Sequence, residues 1–236
     1  MPISYADACS AITREPSAVI FLDTCILLDI VRSPIRDAID SASAKIARSL
    51  IACTRSSPRS LWLVTSATVE IEWQENITGV LEEVEREIRK NELKRRHLLS
   101  AAEAATDIQH QHGQAESALA LGSKLKLISE SLLDACFIIE PEDKHSLGAM
   151  NRVKKNLPPA KRGKAEPKDC EIYELFLSLC RDLRKFGMAG EFIFLSSNTK
   201  EYGQSDSDVI KSELASVRAK YAPNLGCAAA VLDGSK

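Results

Sequence analysis

Runs of consecutive apolar residues recur along this chain, each followed by a polar stretch and then an amphipathic segment. The first run, residues 19–22, is apolar at every position rather than at alternate ones. Such a run is typical of a strand covered on both faces, as in a parallel sheet between layers of helices. Residues 61–65 and 191–195 predict two further strands. The pattern therefore indicates an α/β fold around a central, mainly parallel sheet.

Amphipathic segments between these runs predict the helices. They fall at residues 5–13, 25–31, 35–54, from 67 onward, from 169 onward and at 208–219. Residues 55–60 predict a loop by their residue types. We interpret the chain as a single domain spanning residues 1–236, with one long insertion.

The insertion, residues 75–135, predicts two long, charged helices with a break near Gly113. Its length predicts an arm or insertion beside the sheet. The apolar positions of its helices are Val80, Val84, Ile88, Leu119, Leu125, Ile128 and Leu132. Alternating charges on such helices are usually a solvated face. The apolar stripes fit either packing on the sheet or contact with a second copy or a protein partner.

A basic stretch, residues 152–168, contains paired prolines and predicts a loop. It runs directly into Asp169. It is either a flexible solvated loop or a loop that contacts phosphates. Its cations nearest Asp169 are Lys161, Arg162, Lys164 and Lys168.

Composition narrows the class of protein. The 236 residues are 44% hydrophobic and 27% charged, which is ordinary for a globular protein. A net charge of −2 argues against a uniformly basic nucleic-acid binder, so any such site must be local. No run approaches the roughly 20 apolar residues of a membrane helix. The seven scattered cysteines and an N-terminus without a basic region predict reduced thiols in a cytoplasmic protein.

Acidic and polar residues follow the predicted strands. Asp23 comes directly after the first strand, Glu70 and Glu72 follow the second, and Ser197 and Asn198 follow the third. Asp23 alone could simply cap the next helix. Carboxyl ends of parallel strands meet at one edge, however, where open sheets bind their ligands.

Asp169, at a predicted helix start, could join this group. Clustered carboxylates repel one another unless a cation neutralises them. Oxygen ligands without histidine or cysteine favour Mg²⁺ or Mn²⁺. With a basic loop nearby, the chemistry predicted is phosphodiester hydrolysis.

This pattern resembles the PIN domain family of metal-dependent ribonucleases. The first match is Phe21-Leu-Asp23-Thr24, a hydrophobic strand that ends in Asp-Thr. The second is the segment from Ser66 to Glu72, whose spacing matches the catalytic glutamate of the family to Glu72 rather than Glu70. The resemblance implies a three-layer α/β/α fold.

Two further matches lie near the C-terminus. Asp169 and Ile172 match an Asp-x-x-Ile at a helix start. The last match, residues 194–202, departs from the family, because Thr199 stands where typical members have aspartate and Asn198 precedes it. The fourth ligand is therefore expected to be neutral. This chain is most similar to a larger subset with a helical insertion and an Asn-Thr-Lys motif.

The resemblance implies roles for individual residues. Asp23, Glu72 and Asp169 would hold Mg²⁺ or Mn²⁺, and Asn198 would orient a water or a phosphate oxygen. Contacts to the substrate would come from Thr24, Ser197, Thr199, Lys161, Arg162, Lys164 and Lys168. Glu70 and Glu174 are candidates for extra acids.

We therefore expect an endoribonuclease whose partner is single-stranded or structured RNA. Two alternatives stay open: a structure-specific DNA nuclease, and a degenerate PIN module that binds RNA or a protein without catalysis. A homodimer or a protein partner would dock on the helical arm.

Overall fold

Five parallel strands form one sheet in the order β3-β2-β1-β4-β5. They are β1 (Ala18–Leu22), β2 (Leu61–Ser66), β3 (Phe137–Ile139), β4 (Phe192–Leu195) and β5 (Ala219–Ala222). This computed structural model describes residues 1–106, 108, 119–160, 166–202 and 208–234. The central strands β1, β2 and β4 are buried at nearly every position, as their continuous apolar sequences predict.

Helices flank the sheet on both faces. They are α1 (Tyr5–Arg14), α2 (Thr24–Arg32), α3 (Ser43–Thr54), α4 (Ala67–Thr106), α5 (Leu121–Asp134), α6 (Asp143–Lys155), α7 (Pro167–Lys185), α8 (Thr199–Tyr202), α9 (Asp208–Ser216) and α10 (Leu225–Asp233). Helices α2 to α5 pack on one another, while α1 and α6 pack on α7. The α/β fold with a parallel sheet is confirmed.

Strand order places a topological switch point between β1 and β4. From β1 the chain moves to β2 and β3 on one side, and later to β4 and β5 on the other. The loops that leave β1 and β4 therefore diverge and open a crevice at the carboxyl edge of the sheet. Asp23 and Ser196 follow these two strands, and the backbone N–H of Asp23 donates to the carbonyl of Leu195 at 3.0 Å.

The predicted insertion packs into the core of the domain more than a projecting arm would. Trp73, Val80 and Ile88 of α4 and Ile128 and Leu132 of α5 belong to the main hydrophobic core. Only the part of α4 beyond Glu92 is mostly exposed. Leu119, predicted on the apolar stripe, is exposed, and Gly113 lies outside the described residues. None of the described helices is both long and apolar enough to span a membrane.

Two boundaries predicted from sequence are wrong, and one helix near the C-terminus was not predicted. The helix predicted at 35–54 begins only at Ser43, because turns occupy the preceding residues. The helix predicted at 208–219 ends at Ser216, after which β5 pairs with the outer side of β4. The tail contains α10, which Asn224 caps by accepting a hydrogen bond from the N–H of Cys227.

The basic stretch is also different from its prediction. Its first part belongs to α6, and Arg152 is buried there instead of lying in a solvated loop. Its guanidinium contacts Glu174 at 2.5 Å and Glu213 at 2.7 Å, with the carbonyl of Pro158 at 2.5 Å. A buried cation needs such partners, and here two carboxylates from other helices supply them.

Candidate metal centre

Asp23 stands between β1 and α2 and is almost fully buried. Its Oδ1 accepts a 2.7 Å hydrogen bond from the N–H of Thr24, so it does cap α2. Its Oδ2 accepts from Ser196 Oγ at 2.6 Å and from Cys25 Sγ at 3.2 Å. The two interpretations of Asp23 are compatible, because a residue that caps one helix also lies in the crevice at the switch point.

Glu72 lies in the second turn of α4 and reaches back to the start of α2. Thr24 Oγ1 donates a 2.6 Å hydrogen bond to its Oε2. Lys168 Nζ lies 3.8 Å from its Oε1 and 3.5 Å from Glu75 Oε2. Lys168 is half exposed, so this predicted phosphate contact lies at the rim of the acidic site.

Three other carboxylates lie close together, and the charge of Asp23 acts on one of them, Asp169. Glu166, Asp169 and Glu201 each place a carboxylate oxygen within 4.8 Å of the others. Asp169 is the third residue of α7, Glu166 precedes that helix, and Glu201 lies in the short helix α8 after β4. Glu201 is buried, whereas the other two are partly exposed. The cluster faces solvent on one side and protein on the other.

The electrostatics of the cluster show uncompensated negative charge. Burial raises the pKa of Asp169 to about 8, helped by its hydrogen bond with Glu166 and by the charges of Asp23 and Glu201. Burial also raises the pKa of Asp23, although hydrogen bonds from Ser196, Cys25 and Thr24 oppose the shift. Glu72 has a raised pKa for the same main reason, and Asp23 adds to it. The negative charge of Asp23 thus raises the pKa of both Glu72 and Asp169.

Polar residues after β4 connect the two groups of acids. Asn198 Nδ2 donates to Glu201 Oε2, and the N–H of Asn198 donates to Ser196 Oγ at 3.2 Å. Ser196 in turn holds Asp23. The N–H of Ser197 donates to Cys25 Sγ at 3.1 Å, and Thr199 is exposed at the start of α8. One hydrogen-bonded chain therefore runs from Asp23 to Glu201.

Other predicted site residues lie elsewhere or outside the description. Glu174 is bound to Arg152, with 2.5 Å between its Oε1 and Arg152 Nε, so its charge is already compensated. Glu70 is partly exposed on α4, two residues from Glu72 and therefore turned away from it on the helix. Lys161, Arg162 and Lys164 lie outside the described residues.

Two acids of the cluster were not singled out from the sequence. Where a neutral fourth ligand was expected, the structure brings Glu201, three residues after Asn198, against Asp169. Glu166 joins from the end of the basic stretch, directly before Pro167. A sequence signal for Glu201 existed, since it lies inside the polar cluster that follows β4.

The donor set fits a hard divalent cation. All candidate ligands are carboxylate oxygens, and Mg²⁺ or Mn²⁺ binds such oxygens while keeping several waters. Two neighbouring carboxyl groups, such as those of Asp169 and Glu166, avoid repulsion without a cation by sharing a proton. A bound cation would replace that proton. The residues present therefore suit a divalent metal.

Comparison with known proteins adds one finding. A family model described as PIN domain matches residues 20–202, which is most of the 236 residues. The matched range begins inside β1 and ends with the last residue of α8, so it contains Asp23, Glu72, the whole acidic cluster and the insertion. No curated protein and no solved structure gave a match.

Proposed function

This chain belongs to the PIN domain family, and from that membership and its acidic cluster we propose that it is a metal-dependent endoribonuclease. PIN domains are in general nucleases. The observation that carries the proposal is the convergence of Glu166, Asp169 and Glu201 beside buried Asp23, at the switch point of a parallel sheet. The reaction would be hydrolysis of a phosphodiester bond in RNA.

Asp23, Asp169 and Glu201 would hold Mg²⁺ or Mn²⁺, with Glu72 and Glu166 close by. When bound, the ion supplies charge stabilisation for the phosphoryl group and lowers the pKa of a water. The protein contributes the fixed positions of these carboxylates. Asn198, held between Ser196 and Glu201, would orient the attacking water or a phosphate oxygen.

The fourth acid decides between the nuclease and the degenerate module. The sequence predicts a nuclease, and the feature in it that favours a degenerate module is Thr199 at the position of the aspartate typical of the family. Glu201 restores a carboxylate from a neighbouring position, one residue before Tyr202. The presence of this carboxylate so close to Thr199 supports a catalytic rather than a degenerate site.

Substrate contacts would come from the rim of the site. We propose that Lys168, which lies beside Glu72, contacts a phosphate, and we propose the same role for Lys161, Arg162 and Lys164. Thr24 and Ser197 would act indirectly, Thr24 by holding Glu72 and Ser197 by holding Cys25. Thr199, exposed beside Asn198, is a further candidate contact.

We also propose that the chain belongs to the larger family subset and that it is located in the cytoplasm. The long α4 with α5 would correspond to the helical insertion of that subset, and residues 198–200 to its Asn-Thr-Lys motif. Buried thiols such as Cys136 and Cys180 are typical of proteins in a reducing compartment.

The outer part of α4 is a candidate surface for a second copy or a protein partner. Leu93 and Leu98 are exposed there, at 65% and 68% of their full surface. The oligomeric state in solution tests this proposal.

Cleavage of labelled RNA tests the nuclease directly. The substrates are a mixed-sequence RNA and DNA of the same sequence, the DNA both as a single strand and as a flap. Each is incubated with Mn²⁺, Mg²⁺ or EDTA. We expect cleavage of RNA that needs the metal. Asp169→Asn should reduce it by at least about 100-fold, because bound metal contributes several kcal/mol to the transition state. Glu70→Gln, which removes an acid outside the cluster, is the matched control.

The outcomes separate the candidate functions. Full activity in Asp169→Asn would exclude the acidic cluster as the catalytic site. Cleavage of the DNA flap but not of RNA would indicate the structure-specific DNA nuclease. RNA binding that falls with salt, without any cleavage, would indicate a binding module.

A further inference from the structure

A groove of about 520 Å³ lies beside the metal centre, and none of the carboxylates of that centre lines it. It runs between α2, the turns before α3, and the loops after β4 and β5. Cys25 and Asn198 form its wall nearest the acids. Cys25 Sγ lies 3.2 Å from Asp23 Oδ2, and Asn198 donates to Glu201. A single layer of side chains therefore separates the groove from the carboxylates.

The fixed charges of the groove cancel one another. Arg32 and Arg36 contribute two positive charges to the lining, and Asp29 and Asp40 contribute two negative ones. Glu83 further neutralises the arginines, at 3.2 Å from Arg32 Nε and 3.4 Å from Arg36 Nη2. A phosphate would find no excess positive charge here. An uncharged group with hydrogen-bonding edges needs no such charge, so the lining suits it better.

The rest of the lining suits a nucleobase. Its apolar surface comes from residues such as Ile26, Ile39 and Pro223, while Asn198 and Asn224 present amide groups. A base has two apolar faces and a polar edge, so this mixture complements it. The volume falls within the roughly 300–1,000 Å³ of small-ligand sites. The half-exposed guanidinium of Arg36 offers a plane on which a base can stack.

We propose that this groove binds the base and ribose next to the scissile phosphate of a single-stranded RNA. The inference rests on the proposed nuclease function and adds to it a substrate class and a position of base selectivity. The metal centre would take the phosphate, and Asn198 would stand between the two subsites. A base in a duplex must first unstack and unpair, which costs a few kcal/mol that an unpaired strand avoids.

Two alanine-to-tryptophan variants form the test. Ala38 is exposed and lines this groove, so Ala38→Trp fills the groove without disturbing the core. Ala189 is also exposed, and it lines a second groove of about 450 Å³ at the opposite edge of the sheet, beside Ala18 and Leu61. Ala189→Trp is therefore the matched control. Equal thermal melting of both variants confirms that each is folded.

Binding is measured without cleavage, in an Asp169→Asn background with Mg²⁺. The probes are fluorescent tetranucleotide RNAs in which each position is varied among the four bases, and a blunt RNA duplex. We expect the control to prefer single strands and one base at one position. Ala38→Trp should weaken that binding by about tenfold or more and remove the base preference, since the new indole takes the place of the stacked base. Arg36→Ala, which removes the stacking plane, should weaken binding whichever base is present.

Identical affinity and base preference in Ala38→Trp and Ala189→Trp would overturn the inference, as would equal affinity for the duplex. Cleavage by the unsubstituted protein is scored separately. Cleavage together with an unaffected Ala38→Trp rejects the groove and keeps the nuclease. Base-selective binding that Ala38→Trp removes, in a protein that never cleaves, keeps the groove and rejects the nuclease.

Discussion

Thr24 Oγ1 donates a 2.6 Å hydrogen bond to Glu72 Oε2, which joins the start of α2 to the second turn of α4. The two residues are 48 positions apart in the chain. Thr24 is buried, so its hydroxyl is not free to exchange this partner for water. The bond fixes the direction of the Glu72 carboxylate beside Asp23.

Thr24 is therefore a positioning residue, and Thr24→Val removes its hydroxyl while keeping its shape. We expect cleavage to fall by about 10- to 100-fold, as is usual when a residue that orients a metal ligand is lost. Thr24→Ser restores the donor and should recover most of the activity. Steady-state kinetics in Mn²⁺ measures both. Equal activity of Thr24→Val and the unsubstituted protein would show that the bond orients nothing of consequence.

Glu201 is expected to bind the metal, although the sequence predicted a neutral ligand at this place. Glu201→Gln keeps its size and its capacity to pair with Asn198, but removes one negative charge from the cluster. We expect Mn²⁺ affinity to fall by at least about tenfold, or 1.4 kcal/mol. Calorimetric titration without RNA measures this, with Glu70→Gln as the control. An unchanged affinity would leave Asp23 and Asp169 as the ligands and Glu201 as a bystander.

Glu174 is expected to stabilise the fold and not to bind the metal. It pairs with buried Arg152, which Glu213 also contacts. Glu174→Gln should lower the free energy of unfolding by about 1.5–3 kcal/mol, the usual contribution of a hydrogen bond to a charged group. Urea denaturation measures the loss. Mn²⁺ affinity should stay unchanged, and a weaker affinity would instead make Glu174 the extra ligand that the sequence suggested.

Asp182 ties α1 to α7 and should make stability depend on pH. Tyr5 Oη and Lys185 Nζ each donate to it at 2.8 Å. Burial alone would raise the pKa of Asp182, but these hydrogen bonds outweigh burial and hold the pKa below its usual value of 3.8. A lowered pKa in the folded state stabilises the protein above pH 3.8, and this contribution is lost as pH falls through the folded value.

Asp182→Asn should accordingly cost about 1 kcal/mol at neutral pH and progressively less as pH falls below 3.8. Urea denaturation of both proteins across this range gives the difference. Because Asp182 lies outside the acidic cluster, RNA cleavage should not change. A difference in stability that is the same at every pH would show that the carboxylate is not responsible.

Glu201 shows why part of the metal centre could not be predicted. Glu201 lies in the polar cluster after β4, but acids near helix starts are common, and that signal does not separate a metal ligand from a capping or surface acid. Glu166 has no such signal. Their role depends on how α7 and α8 approach each other in space. Arg152 shows the same limit in the fold, because a basic stretch with prolines predicts a loop until two distant glutamates are known to surround one of its arginines.

By itself, the sequence determined the central strands and the positions of Asp23, Glu72 and Asp169. A strand buried on both faces must be apolar throughout, and the carboxylates follow at strand ends or helix starts, so local pattern suffices. Only the tertiary structure decided which acids meet, that Arg152 is buried, and that the short strands β3 and β5 complete the sheet. These features depend on contacts between residues far apart in the chain, and no local pattern encodes such contacts.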